Sequence, residues 1–507
     1  MRNIRNWFGA SLVAALALTA PGAADAAATL TTLWKFAGGG AHPPDGASPN
    51  AGLISDRAGA LYGTTAEGGN ANCPLGGGSG CGTVFKLAPP QRAGDPWTET
   101  VLHSFGGGDG AGPVAGLIMD RRGALYGTTG RGGNANCPLG GGSGCGTVFR
   151  LTPPRRAGRP WTETLLHSFN GGDGAGPRAG LISDRKGALY GTTAFGGAFK
   201  KGVVFTLTPP SRPGGAWTET ILYSFTGGSD GAFPKAGLLF DRTGALYGTT
   251  SQAGNCPYAG GCGTVFKLMP SAKSGGLWTE TVVYCFKGGG NGAGPVAGLI
   301  MDRTGALYGT TEAGGFGGGT VFKLTPPSRA GGAWSESALY SGFNGSRGAY
   351  PVAGLTMDLS GALYGTTAEA GNTSCPIRGR TGCGTVFKLT LPTRAGGAWI
   401  HTVLYNFTGG GDGAYPSAGL IPDASGSLYG TAESGGDTSC HRSFGCGTVF
   451  KLAMPARFAG QQGRPNCIGK SVSALAREYG GLAAAAAALG YSGVQALRNA
   501  VADYCRG

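Results

Sequence analysis

Residues 241–250, DRTGALYGTT, recur in near copies along the chain, and this recurrence decides the fold. The tyrosines of the copies are Tyr62, Tyr126, Tyr190, Tyr247, Tyr308, Tyr364 and Tyr429. They lie between 56 and 65 residues apart. Self-similarity at such a period is typical of a repeat architecture, in which each unit buries its apolar surface against its neighbours.

Each repeat contains four short runs with the composition of β-strands. In the second repeat they read VAGLIMD, ALYGTT, GTVFRL and WTETLLHSF, separated by turns rich in glycine and proline. We label these runs strands A to D, with A innermost because its alanine and glycine permit close approach around a narrow axis. Seven units of four strands predict an all-β fold, a seven-bladed β-propeller.

The ends of the repeat array predict how the ring closes. The array begins with an unaccompanied D-type run at residues 30–36 and ends with a C-type run at residues 447–452. Blade seven therefore lacks its outer strand unless the N-terminal run supplies it. We expect the two runs to pair, because pairing removes an exposed strand edge.

The Asp-x-x-Gly motif between strands A and B predicts a tight turn. Asp241 is placed to accept backbone N–H groups across the turn, and Gly244 tolerates the positive φ that such hairpins need. The same aspartate recurs as Asp56, Asp120, Asp184, Asp302, Asp358 and Asp423. A group present in every blade is most simply a folding device, so we predict a structural role rather than a catalytic one.

A second regularity links strands C and D. Basic residues precede glutamates by thirteen positions in four repeats: Lys86 and Glu99, Arg150 and Glu163, Lys267 and Glu280, and Lys323 and Glu336. We expect each pair to face across a hairpin and to contribute roughly 0.2–1 kcal/mol. Thr206 interrupts the pattern in the third repeat, so the fold does not depend on it.

Residues 1–26 have the pattern of a secretory signal peptide. Arg2 and Arg5 precede an apolar run at residues 10–18, and small residues precede a predicted cleavage site after Ala26. An uncleaved membrane anchor is the alternative, but the apolar run is short for the ~20 residues of a spanning helix. We expect a secreted or periplasmic protein with no transmembrane segment.

The overall composition indicates a folded chain rather than a disordered one. The 507 residues are 41% hydrophobic and only 13% charged, whereas disordered chains are poor in apolar residues and rich in charge. The formal net charge is +14. Such a charge suits anionic partners, but the signal peptide argues against nucleic acid.

The thirteen cysteines predict disulfide bonds, as is usual in a secreted chain. Five pairs fall between strands B and C, and a sixth spans the C-terminal segment: Cys73 and Cys81, Cys137 and Cys145, Cys256 and Cys262, Cys375 and Cys383, Cys440 and Cys446, and Cys467 and Cys505. Zinc is the weaker alternative, because the spacings are unusual for zinc and no histidines accompany them. Cys285 remains as a predicted free thiol.

The chain after the repeats changes in composition. The predicted domains are the signal peptide at 1–26, the propeller at 27–455, a linker at 456–466 and a small helical domain at 467–507. Val472, Leu475, Leu497 and Val501 recur at helical spacing. We expect two or three short helices joined by the Cys467–Cys505 bond.

Four motifs together indicate a family. GTVFKL, runs of the WTETVLYSF type, GGxDGAxPxAGL and DRxGxLYGTT resemble the GloVer tandem repeat of choice-of-anchor proteins, over about residues 30–452. The resemblance implies an extracytoplasmic or surface protein, and it implies no activity. The chain shows no sorting motif followed by a hydrophobic tail, so surface attachment does not follow from the resemblance.

The predicted fold has two faces of different chemistry. The upper face is formed by the D-to-A and B-to-C connections, and the lower face by the A-to-B turns and C-to-D connections. On the upper face, residues that break the sevenfold pattern are the best candidates for ligand binding. They are Phe233, Tyr350 and Tyr415, with Arg178 and Lys235 at the start of strand A and Asp230 and Asp412 in the loops. Ordinary loop packing is the alternative for the aromatic residues.

The lower face collects arginines from turns and proline-rich loops. They are Arg57, Arg92, Arg121, Arg155, Arg156, Arg185, Arg212, Arg242, Arg303, Arg329 and Arg394. Such a face suits anionic polysaccharide, lipid head groups or acidic proteins. The alternative is that neighbouring aspartates partly neutralise the turn arginines.

The sequence favours a non-catalytic binding propeller of the cell envelope. His103 and His167 occupy a position held by tyrosine in other repeats, and no pair of nucleophile and base is evident. We expect a monomer without cofactor or metal that binds a glycan, an anionic envelope polymer or a protein. A propeller hydrolase or lyase acting on an extracellular substrate and a purely structural envelope protein remain alternatives.

Overall fold

In the computed structural model, seven four-stranded antiparallel sheets form the seven blades of a β-propeller. The structure describes residues 28–506 apart from 39–44, 76–78, 93, 140–141, 157, 213, 257–260, 272–277, 330, 378–380, 393, 395, 424, 438–439, 441–443, 455–465, 480 and 489–492. The predicted signal peptide and almost all of the predicted linker lie outside the described residues.

The strands repeat in the order A, B, C, D from the axis outward. Strands A are Ile54–Ser55, Ile118–Met119, Ile182–Ser183, Leu239–Phe240, Ile300–Met301, Thr356–Met357 and Ile421–Pro422. Strands B are Leu61–Thr65, Leu125–Thr129, Leu189–Thr193, Leu246–Thr250, Leu307–Thr311, Leu363–Thr367 and Leu428–Ala432. Strands C are Thr83–Ala88, Thr147–Thr152, Val203–Thr208, Thr264–Met269, Thr320–Thr325, Thr385–Thr390 and Thr448–Ala453. Strands D are Thr98–Ser104, Thr162–Ser168, Thr218–Ser224, Thr279–Cys285, Ser335–Tyr340, Ile400–Asn406 and, for blade seven, Thr29–Lys35.

Short elements complete the propeller. Gly46–Ala47 pairs with Glu67–Gly68 beside blade one, and 3₁₀ turns span Gly289–Asn291 and Gly345–Arg347. The N-terminal strand closes the ring as predicted, because Thr29 opposes Ala453 and Lys35 opposes Thr448 in an antiparallel pair.

Different residues of the repeated LYGTT stretch make different contacts, as blade one shows. The Tyr62 hydroxyl donates a hydrogen bond to Asp56 at 3.0 Å. A Cβ on Gly63 would lie only 2.6 Å from the Phe85 ring, so a larger residue would displace it. The Thr65 and Thr83 hydroxyls lie 2.8 Å apart and join strands B and C. The repetition therefore reflects packing that each blade needs.

The first threonine of the stretch joins neighbouring blades. Thr64 donates to the carbonyl of Ala115 in the next blade at 3.2 Å. The series continues as Thr128 to Ala179, Thr192 to Ala236, Thr249 to Ala297, Thr310 to Ala353, Thr366 to Ala418 and Thr431 to Ala51. The last bond runs from blade seven to blade one, so the circle of hydrogen bonds is complete.

The glycines of the strand A region line the axis, as predicted. A Cβ on Gly180 would lie 3.0 Å from the carbonyl oxygen of Gly116 in the preceding blade. Equivalent contacts run all round the ring and close from Gly419 to Gly52. A Cβ would be tight at Gly180 and Gly419 and would make ordinary van der Waals contact at the other positions.

Phenylalanines pack each blade junction further out. Phe105, after strand D of blade one, meets Phe149 of blade two edge to face at 5.1 Å between centroids. Phe36, after the N-terminal strand, meets Phe85 in the same way and at the same distance. These rings are fully buried, so the closing junction is packed like the others.

The prediction that strand C cations face strand D glutamates is wrong. Lys86 opposes Thr100, and Leu87 opposes Glu99. Because side chains alternate between the two faces of a sheet, Lys86 and Glu99 point to opposite sides. Residues that face across one hairpin differ here by 12 or 14 positions, so a separation of 13 joins different faces. The same register separates Arg150 from Glu163, Lys267 from Glu280 and Lys323 from Glu336.

Lys86 and Glu99, which do not face each other, have different surroundings. The Lys86 ammonium lies 5.5 Å from the centroid of the Tyr62 ring. Among the described residues, Oε1 of Glu99 is a buried oxygen without a hydrogen-bond partner, as are those of Glu163, Glu219, Glu280 and Glu336. Burial raises the pKa of Glu99, Glu219 and Glu280 to about 7. These glutamates are therefore largely protonated in mildly acidic solution.

Three helices follow the propeller: α1 at Cys467–Tyr479, α2 at Leu482–Ala488 and α3 at Val494–Arg506. Their core contains the fully buried Leu475, Leu497 and Val501, and the Cys467–Cys505 disulfide joins α1 to α3. None of the helices in the described part of the chain is long and apolar enough to cross a membrane.

Candidate functional site

The aromatic candidates of the upper face share an unusual backbone conformation. Phe233, Tyr350 and Tyr415 have φ of 57°, 60° and 58°, in the left-handed region. The equivalent positions in other blades are Ser48, Gly112, Gly176 and Gly294, with φ between 56° and 66°. A residue with a side chain costs about 1–2 kcal/mol in this conformation. Three aromatic residues at a position suited to glycine therefore need compensation from packing or function.

Hydrogen bonds within the blade and to the preceding blade hold the backbone at this position. The Phe233 N–H donates to the carbonyl of Lys201 in the preceding blade, and the Phe233 carbonyl accepts from Ser251 N–H. The N–H groups of Tyr350 and Tyr415 donate in the same way, to Gly318 and Cys383. The position is thus a structural joint, and its side chain is directed by a fixed backbone.

Phe233 is the centre of a small cluster between blades three and four. Its ring meets the Phe195 ring edge to face at 5.5 Å, and the Lys201 ammonium lies 5.1 Å from its centroid. Phe195 is 39% exposed, and Phe233 is half-buried. The cluster offers an apolar edge beside a cation, a combination that suits the face of a sugar ring or an apolar side chain.

The predicted cations precede strand A on successive blades. Arg178 is exposed at the start of strand A in blade three, and Lys235 is half-buried at the same place in blade four. Burial raises the pKa of Glu312, and the positive charge of Lys235 partly offsets that rise. Lys235 is therefore near a carboxyl group, whereas Arg178 faces solvent.

The two tyrosines differ from each other and from Phe233 in location. Tyr350 precedes strand A of blade six and is 40% exposed, so blade five separates it from the Phe233 cluster. Tyr415 precedes strand A of blade seven and is only 5% exposed, packed in the core with Ile377 and Cys383. The structure thus does not bring the three aromatic candidates into one site.

The loop aspartates are saturated by their own loops. The carboxylate of Asp230 accepts hydrogen bonds from the Tyr223 hydroxyl at 3.1 Å, from Thr226 N–H at 2.7 Å and from the Thr226 hydroxyl at 2.5 Å. Asp412 accepts the equivalent bonds from Tyr405 and Thr408. These hydrogen bonds hold the loop to strand D, and we call each such arrangement a loop clamp.

Histidine replaces tyrosine in two of these clamps. His103 Nε2 lies 2.9 Å from Asp109, and His167 Nε2 lies 3.1 Å from Asp173. Burial alone would raise the pKa of Asp109, but hydrogen bonds from His103 and the backbone lower it overall. Both ring types serve the same structural purpose, which explains their exchange between repeats.

Several exposed phenylalanines of the upper face escaped the sequence reasoning. Phe199 is 54% exposed and Phe316 is 76% exposed, and both lie in the B-to-C loops that lack cysteines. Phe195 belongs to the first of these loops as well. The signal was present in the sequence, because each loop that loses its cysteine pair gains phenylalanine.

The lower face presents the predicted arginines to solvent. Every arginine assigned to it from the sequence is exposed, namely Arg57, Arg92, Arg121, Arg155, Arg156, Arg185, Arg212, Arg242, Arg303, Arg329 and Arg394. Within the described residues, their guanidinium groups have no hydrogen-bond or ion-pair partner. The turn arginines lie on blades one to five, so the charge forms an arc.

The neighbouring aspartates are occupied elsewhere, as blade one shows. Asp56 accepts Ala58 N–H at 2.9 Å, Ala60 N–H at 3.0 Å and the Tyr62 hydroxyl. In blade four, the Lys267 ammonium lies 3.8 Å from Asp241. The turn aspartates thus stabilise the hairpin, as predicted, and do not neutralise the turn arginines through ion pairs.

Disulfide bonds join the six pairs that the spacing predicts. They connect Cys73–Cys81, Cys137–Cys145, Cys256–Cys262, Cys375–Cys383, Cys440–Cys446 and Cys467–Cys505, with Cα–Cα distances of 5.4–5.9 Å. Cys285 is a half-buried free thiol. Structural disulfides are typical of proteins that fold in oxidising compartments, which favours an extracellular or periplasmic location. Among the described residues, no group of three or more His, Cys, Asp or Glu side chains is placed to hold a metal.

The fold and the repeated motifs define a tandem-repeat propeller. Residues 137–377 match the family model of the Gloeobacter/Verrucomicrobia repeat. This part of the chain belongs to that repeat family, which confirms the resemblance given by the motifs. No curated protein matches the chain in sequence.

Solved structures match the chain at low identity and low TM-score. An extracellular domain assigned to a hybrid two-component system of B. thetaiotaomicron is 13% identical with a TM-score of 0.48, covering 87% of this chain and 44% of that chain. The chain thus spans less than half of that structure. A Dyadobacter fermentans protein of unknown function is 13% identical with a TM-score of 0.38, covering 75% and 98% of the two chains. A luciferin-regenerating enzyme is 12% identical with a TM-score of 0.38, covering 84% and 95%. These similarities carry no functional inference for this chain.

Proposed function

We propose that the protein is a secreted or periplasmic, non-catalytic propeller that binds an anionic component of the cell envelope through its lower face. The observation that carries this proposal is the exposed arginine arc. Its guanidinium groups are free of partners in the described part of the chain, while the adjacent aspartates are held by turn backbone and tyrosine.

The charge of this face can act as a unit. Each exposed charge acts over about 8–10 Å at physiological salt, and an extended polyanion can contact several turn arginines at once. The net charge of +14 adds a long-range attraction of the same sign. An extended anionic partner therefore gains more from this face than a small anion does.

A salt titration with dextran sulfate tests the proposal. The lower-face variant Arg57→Ser/Arg121→Ser/Arg185→Ser should bind about tenfold more weakly at moderate salt, because three exposed contacts are lost. The matched upper-face variant Arg131→Ser/Arg178→Ser/Lys235→Ser removes the same charge and should change the affinity less than about twofold. Equal losses would show that net charge, not the lower face, governs binding. Absence of binding to dextran sulfate would contradict the proposal.

The Phe233 cluster supports a second candidate function, the binding of a glycan on the upper face. Phe233 is held in a left-handed backbone, and its ring contacts the exposed Phe195 beside the Lys201 ammonium. An aromatic edge with an adjacent polar group is a common way to hold the face of a sugar.

A glycan array followed by titration tests this second candidate. Phe195→Ala should weaken binding of a positive glycan by about tenfold, because the apolar contact of the ring is lost. Phe316→Ala is the matched control, since it removes another exposed phenylalanine of the upper face outside the Phe233 cluster. Equal effects of the two variants would exclude the Phe233 cluster as the glycan site.

A further inference from the structure

Blade six interrupts the chemistry of the lower face. Leu359 occupies the turn position that holds arginine in blades one to five, and it is 75% exposed. Leu391 directly follows strand C, where blades one to five have proline and blade seven has Met454, and is 41% exposed. Ile400 begins strand D, where other blades have threonine or serine, and is 52% exposed. Three polar or rigid positions thus become exposed aliphatic residues in a single blade.

All three residues lie at the lower end of blade six. Ile400 opposes Thr390, the residue just before Leu391. The Leu391 side chain reaches the A-to-B turn, because its Cδ1 lies 3.1 Å from where a Cβ on Gly361 would be. Leu359 belongs to that same turn. We call Leu359, Leu391 and Ile400 the blade-six patch.

Exposed cations share the lower ends of blades five and six with the blade-six patch. Arg394 lies three residues after Leu391 in the same C-to-D connection, and Arg303 and Arg329 lie at the lower end of blade five. All three arginines face solvent. The lower face therefore combines an arc of positive charge with a small apolar tip.

This combination selects one kind of partner. A second copy of the chain would bring two positive faces together, and three side chains bury far less than the roughly 800 Å² per partner of a stable interface. A soluble polyanion has no apolar layer for the leucines. An anionic lipid surface has both, because its head groups attract arginine while aliphatic side chains enter the acyl boundary.

We propose that the lower face docks on an anionic lipid membrane, with the blade-six patch entering the acyl boundary and the flanking arginines contacting the head groups. This inference rests on the proposed function of the lower face and names its partner. The protein would lie on the membrane surface, held by shallow contacts that can be reversed.

Vesicle sedimentation with the full chain tests the inference. The probes are vesicles of phosphatidylglycerol mixed with phosphatidylcholine, vesicles of phosphatidylcholine alone, and dextran sulfate. The variant Leu359→Ser/Leu391→Ser/Ile400→Thr should bind the anionic vesicles at least about tenfold more weakly and bind dextran sulfate unchanged. Leu165→Ser is the matched control, because Leu165 is 41% exposed in the middle of strand D of blade two.

A charge-adding variant separates lipid insertion from attraction alone. Leu359→Arg restores the residue type of blades one to five and should weaken vesicle binding while dextran sulfate binding is kept or strengthened. Stronger vesicle binding by this variant would overturn the inference. So would unchanged vesicle binding by the triple variant, although dextran sulfate binding would then still support the proposed function.

Two further outcomes are decisive. If the wild-type protein binds neither anionic vesicles nor dextran sulfate, the proposed function fails and the inference fails with it. If the wild-type protein sediments as a dimer and the triple variant as a monomer, the patch is an interface between copies, and the lipid assignment is wrong. Thermal unfolding of each variant confirms that its fold is intact.

Discussion

The two faces of the propeller use their polar groups in opposite ways. On the upper face, five disulfides clamp the B-to-C loops, and aspartates such as Asp230 are saturated within their own loops. On the lower face, the turn aspartates are saturated as well, but exposed arginines beside them have no partner in the described residues. The comparison shows that a charged side chain in a loop is available to bind a partner only when hydrogen bonds or ion pairs within the protein do not already engage it.

The largest expected effect concerns the buried glutamates between blades. Their pKa is raised in the folded state, so the stability they contribute is complete below the unfolded pKa near 4.5 and is lost as pH rises to about 7. We expect the midpoint of thermal unfolding to fall by about 5 °C or more between pH 5 and pH 8. His401 acts in the opposite direction, since burial lowers its pKa to about 4, but it is a single group.

Replacement of the glutamates provides the control for this pH effect. Glu99→Gln/Glu219→Gln/Glu280→Gln keeps the shape of each side chain and removes its ionisation. The unfolding midpoint of this variant should depend less on pH across the same range. A wild-type midpoint that increases from pH 5 to pH 8 would show that these carboxyl groups are ionised in the fold.

Asp230→Ala breaks an upper-face clamp. It removes the acceptor for Tyr223, Thr226 and Gly228 and leaves their donors without that carboxylate. We expect the free energy of unfolding, measured by urea denaturation, to fall by about 3 kcal/mol. Dextran sulfate binding should not change. A stable variant that had lost glycan binding would instead make Asp230 a ligand group.

Removal of one upper-face disulfide has a somewhat smaller effect. Cys73→Ser/Cys81→Ser releases the B-to-C loop of blade one and should lower the free energy of unfolding by about 2–3 kcal/mol in the chain-entropy model. Cys285→Ser is the control, because Cys285 forms no disulfide. Equal stability of the double variant and the control would mean that this loop is held by its other contacts.

Asp241→Ala tests the role of a turn aspartate on the lower face. The variant loses the turn hydrogen bonds from Thr243 and Ala245. We therefore expect its free energy of unfolding to be about 1–2 kcal/mol lower than that of the wild-type protein. Its affinity for dextran sulfate should stay the same or increase, because a negative charge is removed beside Arg242. Weaker binding would show that the turn must be intact to present the arginine.

Much of the fold follows from periodicity in the sequence. The blade count, the closing N-terminal strand, the turn aspartates and the disulfide pairs were all predicted, because each depends on local spacing or on a pattern repeated seven times. The prediction that cations of strand C face glutamates of strand D was wrong. Lys86 and Glu99 lie on opposite faces because one residue of register reverses every side chain, and spacing alone does not fix that register.

The candidate site shows most clearly what the sequence could not predict. Tyr350 and Tyr415 both lie in the tetrapeptide Gly-Ala-Tyr-Pro and share the same left-handed backbone, which the sequence determined through its repeat. Yet Tyr350 is 40% exposed and Tyr415 only 5%. Tyr350 bonds to Gly318 of a short loop without cysteines, whereas Tyr415 bonds to Cys383 of a disulfide loop. Burial depends on what the neighbouring blade places over a residue, and only the tertiary structure decides that.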